Sequence, residues 1–260
     1  MQRNLLLTAA LLAAGVVTLL AQQVSNDANP LYHNVSIRTG TIIVPPIAGA
    51  PFSATALIEN QQFMPDGSVV TSRNVNLIGR DSRGRTHGEM RPRVPESFQG
   101  MPPLSEVHLF DPQTHLKTIY YPATLIASRQ VMPESPKIAS LSTPSNPLVK
   151  IEDLGSTTID NIDVKGTRRT LTIPAQANGI GAALTVVDEY WYSEDLHLNL
   201  LLRHNDPRTG MQTVALSDIK REEPAQAFFE VPEGYKIVEM TPPPGARTAH
   251  GPAMAGSPIR

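Results

Sequence analysis

Residues 184–192, LTVVDEYWY, precede the polar turn Ser193-Glu194-Asp195-Leu196, and residues 197–203, HLNLLLR, follow it. β-branched and aromatic residues crowd the first run and leucines the second. The polar tetrad between them is turn chemistry, so the stretch reads as a β-hairpin. Setting Tyr192 opposite His197 collects Val187, Trp191, Leu198, Leu200 and Leu202 on one face. Such a face is either sheet core or the wall of a hydrophobic ligand groove, and the two patterns are alike in sequence. These five residues form the candidate groove. Glu189 falls in the same row, where a buried carboxylate needs a partner.

The pattern continues outward from this hairpin. Downstream, the turn from Asn205 to Gly210 leads into MQTVALSDIKR. Upstream, VKIEDLGSTTI and IDVKGTRRTLTI flank Asp160-Asn161, a two-residue hairpin turn, which sets Asp153 opposite Arg168 and Glu152 opposite Arg169. In the first half, FSATALIE and SVVTSRNVNLIGR surround the turn Pro65-Asp66-Gly67, and EVHLF and HLKTIYYP surround Asp111-Pro112-Gln113-Thr114. Prolines interrupt residues 92–104 and 128–147, and the second of these reads as a linker. The one short helical candidate is Glu222 to Glu230, with Pro224 near its start. The expected fold is mainly β (β-dominated α+β), a strongly curved antiparallel sheet or incomplete β-barrel in a single domain over residues 51–241.

Composition agrees with short strands and turns: 24 prolines and 17 glycines among 260 residues, with 5% aromatic and 18% charged. The nearly balanced formal charge of −2 does not suggest a polyanion binder, and basic residues lack interleaved aromatics, so no nucleic acid is expected as a partner. With no cysteine, thiol catalysis, cysteine metal sites and disulfides are excluded. Residues 1–21 carry Arg3 before an apolar run from Leu5 to Leu20 and then turn polar, the layout of a secretory signal with cleavage expected after Ala21. Contact with a membrane is expected only if that segment stays uncleaved as an anchor. Residues 22–50 read as a flexible lead and 242–260 as a disordered tail. A bacterial periplasmic or secreted location follows.

The phrase from Trp191-Tyr192 through the turn Asp206-Pro207-Arg208-Thr209-Gly210 to Phe229-Glu230-Val231-Pro232-Glu233-Gly234-Tyr235 resembles the C-terminal part of periplasmic lipoprotein-carrier-like proteins. These are the LolA-like group, which includes envelope sensors of the RseB type. In the first half, FSATALIE, MPDGSVVTSRN and GRDSRGRTHGEMR are similar to the opening strands of such domains. The resemblance implies a curved antiparallel sheet whose concave side takes acyl chains or peptide segments. Two features depart from the group. The Asp-Pro turn follows a later strand than the Trp-Tyr pair, and the proline-rich stretches are poor material for helices that plug the sheet mouth.

Other chemistry is sparse. Glu106, His108 and His115 fall on one face of a hairpin but want a third strong metal ligand beside Lys117, so no metal or other cofactor is expected. His197 and His204 point to opposite faces of a strand. The serines lack a nucleophile elbow, and Gly179-Ile180-Gly181 leads into a strand where a phosphate loop needs a helix. The cluster Arg80, Arg83, Arg85, His87, Arg91 and Arg93 reads as a solvated hairpin tip. The expectation is a non-catalytic exported protein that binds a hydrophobic ligand, such as an acyl chain or lipidated peptide. The alternative is an envelope protein that docks a protein partner on its sheet surface.

Overall fold

The structure, a computed structural model, describes residues 35–36, 41–42, 44–132, 146–179 and 181–240. The expected signal segment and tail lie outside these residues, as do residues 133–145 of the expected linker and most of residues 22–43. A ribbon of β1 (Val35–Ser36) and β2 (Thr41–Ile42) precedes the main sheet. Long strands follow as β3 (Phe52–Phe63) and β4 (Val69–Arg80), then β5 (Thr86–Met90) and the two-residue β6 (Val94–Pro95). Next come β7 (Glu106–Asp111), β8 (Leu116–Tyr121) and β9 (Ile126–Val131). The second half holds β10 (Val149–Ile159), β11 (Ile162–Ile173), β12 (Leu184–Ser193), β13 (Leu198–Asp206), β14 (Gly210–Lys220) and β15 (Lys236–Glu239). A four-residue helix, α1 (Ala175–Asn178), sits between β11 and β12.

Thirteen strands form one open sheet in the order β10-β11-β12-β13-β14-β3-β4-β5-β7-β8-β9-β15, with β6 added on β4. All pairings are antiparallel except β15 on β9. The sheet is curved. Asp160, at the tip joining β10 and β11, accepts a hydrogen bond from the Ile219 N–H of β14 at 2.9 Å, although β14 lies three strands from β11. A flat sheet would hold those strands about 14 Å apart.

The expected boundaries need two corrections. Residues 128–131, read as the start of a linker, complete β9, because Arg129 and its neighbours pair with β8 on one side and β15 on the other. Residues 44–50, read as flexible, are docked. Val44 is buried, and the Arg80 guanidinium donates to the carbonyls of Pro45 (2.9 Å) and Ala50 (2.7 Å).

The two halves of the sheet bury opposite faces. From β11 to β4 the buried face carries Phe52, Ala54, Ala56, Ile58, Leu202, Val214 and Leu216, which form the larger core. From β5 to β9 the alternation has slipped by one residue, so His87, Val107, Leu109, Thr118, Tyr120 and Ala127 are buried. Register makes the switch visible: Arg80, on the Phe52 face, pairs with half-buried Thr86, whereas Gly79, on the other face, pairs with buried His87. The end of β4 is the inflection. Ile78, Gly79 and Arg80 are buried in succession, which strands covered on both sides allow.

Candidate functional site

Beyond β14 the chain leaves the sheet and crosses its second buried face as a strap before returning as β15. Glu223 fixes the start, accepting from the Ser82 N–H (2.9 Å) and hydroxyl (3.2 Å). Gln226–Phe229, inside the expected helix, form a single 3-10 turn. Phe228 seats on β4 and β5 because residue 79 is glycine: a Cβ there would stand 2.8 Å from the Phe228 ring and from the Phe52 carbonyl. Its ring stacks on His87, whose Nδ1–H donates to the Phe228 carbonyl. Burial pushes the His87 imidazole down to about 4. Phe229 is buried edge-on to Phe228, with the Arg85 guanidinium 4.9 Å from its centroid. Gly234 then takes the left-handed turn (φ 89°) that drives the Tyr235 ring edge-on against Tyr120, centroids 5.2 Å apart. Burial raises the Tyr120 phenol to about 12, with Tyr235 and Glu89 adding to the effect.

Beside this packing, strap and sheet stand apart over a cleft of about 470 Å3. Leu109, Leu116, Thr118 and Arg129 form its floor, on β7, β8 and β9. Phe229, Val231, Pro232 and Tyr235 form its roof, and Asp111, Glu230 and Glu233 lie among its polar lining. The volume is that of a small-molecule or single-chain site, and a lining that is part apolar and part charged suits an amphiphile. Its other arginine, Arg85, is committed: its Nε donates to Asp81 at 2.6 Å. Burial pushes the Asp81 carboxyl up, but hydrogen bonds and charge from Arg85 outweigh it and hold the group below the usual range. The roof comes from the FEVPEGY phrase, which carries the family resemblance but is not among the candidate groove residues. Nothing in the sequence pointed to the floor, whose residues come from three short strands.

The candidate groove read from the hairpin is not one surface. Leu198, Leu200 and Leu202 are fully buried in the larger core. Leu202 stands opposite Tyr190 and Val214 on the buried face, whereas Val187 stands opposite Asn205, and Trp191 opposite Leu201, in the adjacent row of the other face. The turn is wider than the count assumed. His197 adopts φ 53°, Ser193 pairs with Leu198, and a bulge between Trp191 and Tyr192 adds one more residue, which moves Leu202 to the opposite face. The Trp191 indole lies over Gly166, where a Cβ would come within 2.7 Å of it. Val187 borders a second groove of about 450 Å3, with Glu152, Arg168, Glu189 and Arg203 around it.

That outer face carries a ladder of charge. Glu152, Arg168, Glu189, Arg203, Thr213, Glu59 and Arg73 stand directly opposite one another across seven strands, signs alternating except at Thr213. Glu189 thereby finds its partners, Arg168 at 2.6 Å and Arg203 at 3.7 Å. The expected pairs Asp153–Arg168 and Glu152–Arg169 are each out by one, because a bulge at Gly155 lengthens β10. One residue along, on the other face, runs a second polar row: Arg169, Asp188, His204, Gln212, Asn60 and Ser72. There Asp188, largely buried, accepts from Arg169 (3.1 Å) and pairs with His204 Nδ1 (2.6 Å).

The histidine hairpin holds only two of its three expected ligands together: His108 Nε2 bonds Glu106 at 2.8 Å, while His115 sits in the turn with φ 54°. Among the described residues no group of three or more His, Asp or Glu could hold a metal ion. His197 lies in its turn and not on a strand. Of the basic cluster, Arg80 and His87 are buried and Arg85 and Arg91 are paired, so it is mostly structural and not a solvated tip. No helix among the described residues is long and apolar enough to cross a membrane.

No protein family matches the chain, and no curated protein matches it in sequence. Among solved structures, similar chains include an uncharacterised conserved protein from Thermus thermophilus (11% identity, 74% of this chain and 91% of that chain, TM-score 0.38). Others are the MucA/MucB complex of Pseudomonas aeruginosa (12%, 76% and 64%, 0.37) and a LolA superfamily protein from Nitrosomonas europaea (11%, 75% and 98%, 0.29). The chain itself folds as an open, curved antiparallel sheet, the architecture that its sequence resemblance implied.

Proposed function

We propose that this is a non-catalytic, exported protein of the bacterial envelope that binds a hydrophobic ligand, an acyl chain or lipidated peptide, in the cleft beneath the strap. The observation that carries the reading is the cleft itself: about 470 Å3 between a floor that sets Leu109 and Leu116 beside Thr118 and Arg129 and a roof of Phe229, Val231, Pro232 and Tyr235, open to solvent along a charged mouth. Export rests on the layout of residues 1–21. Native mass spectrometry of protein purified from its own envelope tests the reading. Wild-type protein is expected to retain an acyl ligand, and Thr118→Trp, which fills the floor, to lose it. Wild type that carries nothing and takes up no acyl chain on titration overturns it.

A second reading, docking of a protein partner, is favoured by one separate feature. At the β3–β4 tip Phe63, Val69 and Val70 are each about half exposed, with Met101 exposed as well. The exposed pair Phe63 and Val69, which stand opposite each other at the tip, is the kind of apolar surface that a partner covers.

A further inference from the structure

Resting on the reading of the cleft as an amphiphile site, we propose that Arg129 selects ligands with an anionic head group, a carboxylate or a phosphate monoester. Arg129 rises from β9 in the row Leu109, Thr118, Arg129, Glu239, in the cleft floor. Its guanidinium is poorly partnered. Nε is buried and has no hydrogen-bond partner, and NH1 reaches only to within 3.9 Å of Glu239, a side chain 70% exposed. The other arginine of the cleft is tightly held, Arg85 on Asp81 at 2.6 Å. A guanidinium partly withdrawn from water with donors unspent gains most from a charged acceptor, and its planar fork matches carboxylate and phosphate oxygens.

The geometry leaves room for such a group. The Arg129 side chain is 36% exposed and lines the cleft, with Leu109 and Leu116 alongside for the first methylenes. The carboxylates nearby are partly engaged. Asp111 accepts from the Gln113 N–H at 2.8 Å, and Glu230 accepts from the Gln226 amide at 2.7 Å. Glu233 and Glu239 are exposed to water, where screening weakens their repulsion. A bound anion replaces the loose Glu239 contact with a desolvated pair.

Calorimetric titration of the full chain with decanoate, decyl phosphate and neutral decanol tests the proposal. Wild type is expected to bind at least one anion about tenfold more tightly than the alcohol, a difference of about 1.4 kcal/mol. Whichever anion binds more tightly identifies the head group. Arg129→Gln is expected to abolish the preference of anion over alcohol, while Arg129→Lys keeps part of it. Equal binding of anions and alcohol to wild type overturns the role of Arg129 but leaves the cleft reading standing. Binding of none of the three overturns the cleft reading itself. Circular dichroism confirms that each variant is folded; if Arg129→Gln is not, the wild-type comparison and Arg129→Lys decide.

Discussion

The imidazole of His87 lies flat on the ring of Phe228, centroids 3.7 Å apart and planes 17° from parallel, and this stack pins the strap to the sheet. Nδ1 carries the proton given to the Phe228 carbonyl, so Nε2, buried without a partner, must stay unprotonated. The folded imidazole titrates at about 4, below its ordinary 6.5, so the unfolded chain takes up a proton that the folded chain refuses. This contribution to stability is complete above pH 6.5 and is lost as pH falls towards 4, about 3 kcal/mol in all. Thermal unfolding between pH 7 and 4.5 is expected to show a steeper acid loss for wild type than for His87→Phe. Parallel curves would sink this assignment.

Phe229 closes the same region from the strap side, buried between Phe228 and the Arg85 guanidinium. Phe229→Ala is expected to cost about 3–5 kcal/mol, the ordinary range for a buried ring. Urea denaturation measures it. A loss below about 1 kcal/mol, the level of a surface change, shows that the strap adds little to folding.

The two polar rows predict unequal costs. Arg168, Glu189 and Arg203 are partly exposed, and a double-mutant cycle on Arg168 and Glu189 is expected to return under about 1 kcal/mol, diminishing with salt. Asp188 is 7% exposed and serves both Arg169 and His204, so Asp188→Ala is expected to cost about 3 kcal/mol or more. Equal losses at Glu189 and Asp188 would contradict the assignment of an outer and an inner row.

Gly166→Ala places a methyl against the indole of Trp191 and the Cβ of Leu154, both within 2.8 Å. Overpacking of this kind typically costs about 1–3 kcal/mol. Trp191 is the sole tryptophan, so displacement of its ring should also change the emission spectrum. An unchanged spectrum with full stability means that the strand pair gives way instead.

Much of the strand inventory was legible because turn chemistry is local. Asp160 and Asn161 both take left-handed φ, as a two-residue hairpin turn demands, and the Pro65-Asp66-Gly67 turn falls where it was read. Register was less legible. The bulge at the Trp191–Tyr192 step is announced by no residue type, whereas Gly155, a left-handed glycine (φ 77°) inside a strand, marks one that the turn count passed over. One extra residue reverses every side chain beyond it. The cleft floor was illegible for a different reason. Leu109, Thr118 and Arg129 alternate as any half-buried strand does, and only the strap, arriving from residues 221–235, decides which side of them is covered.

The inflection at the end of β4 also shapes how the molecule opens. Each half of the sheet has its own core, and the end of β4 is covered from both sides, Ile78 by the larger core and Gly79 by Phe228 of the strap, so either half can loosen while the other holds this strand end in place. Amide hydrogens there should exchange only when the whole chain unfolds, whereas those of β9 and β15 exchange by a smaller excursion that frees the strap. A ligand could then enter beneath the strap without disturbing the larger core: breathing in one half is insulated from the other by a strand that belongs to both.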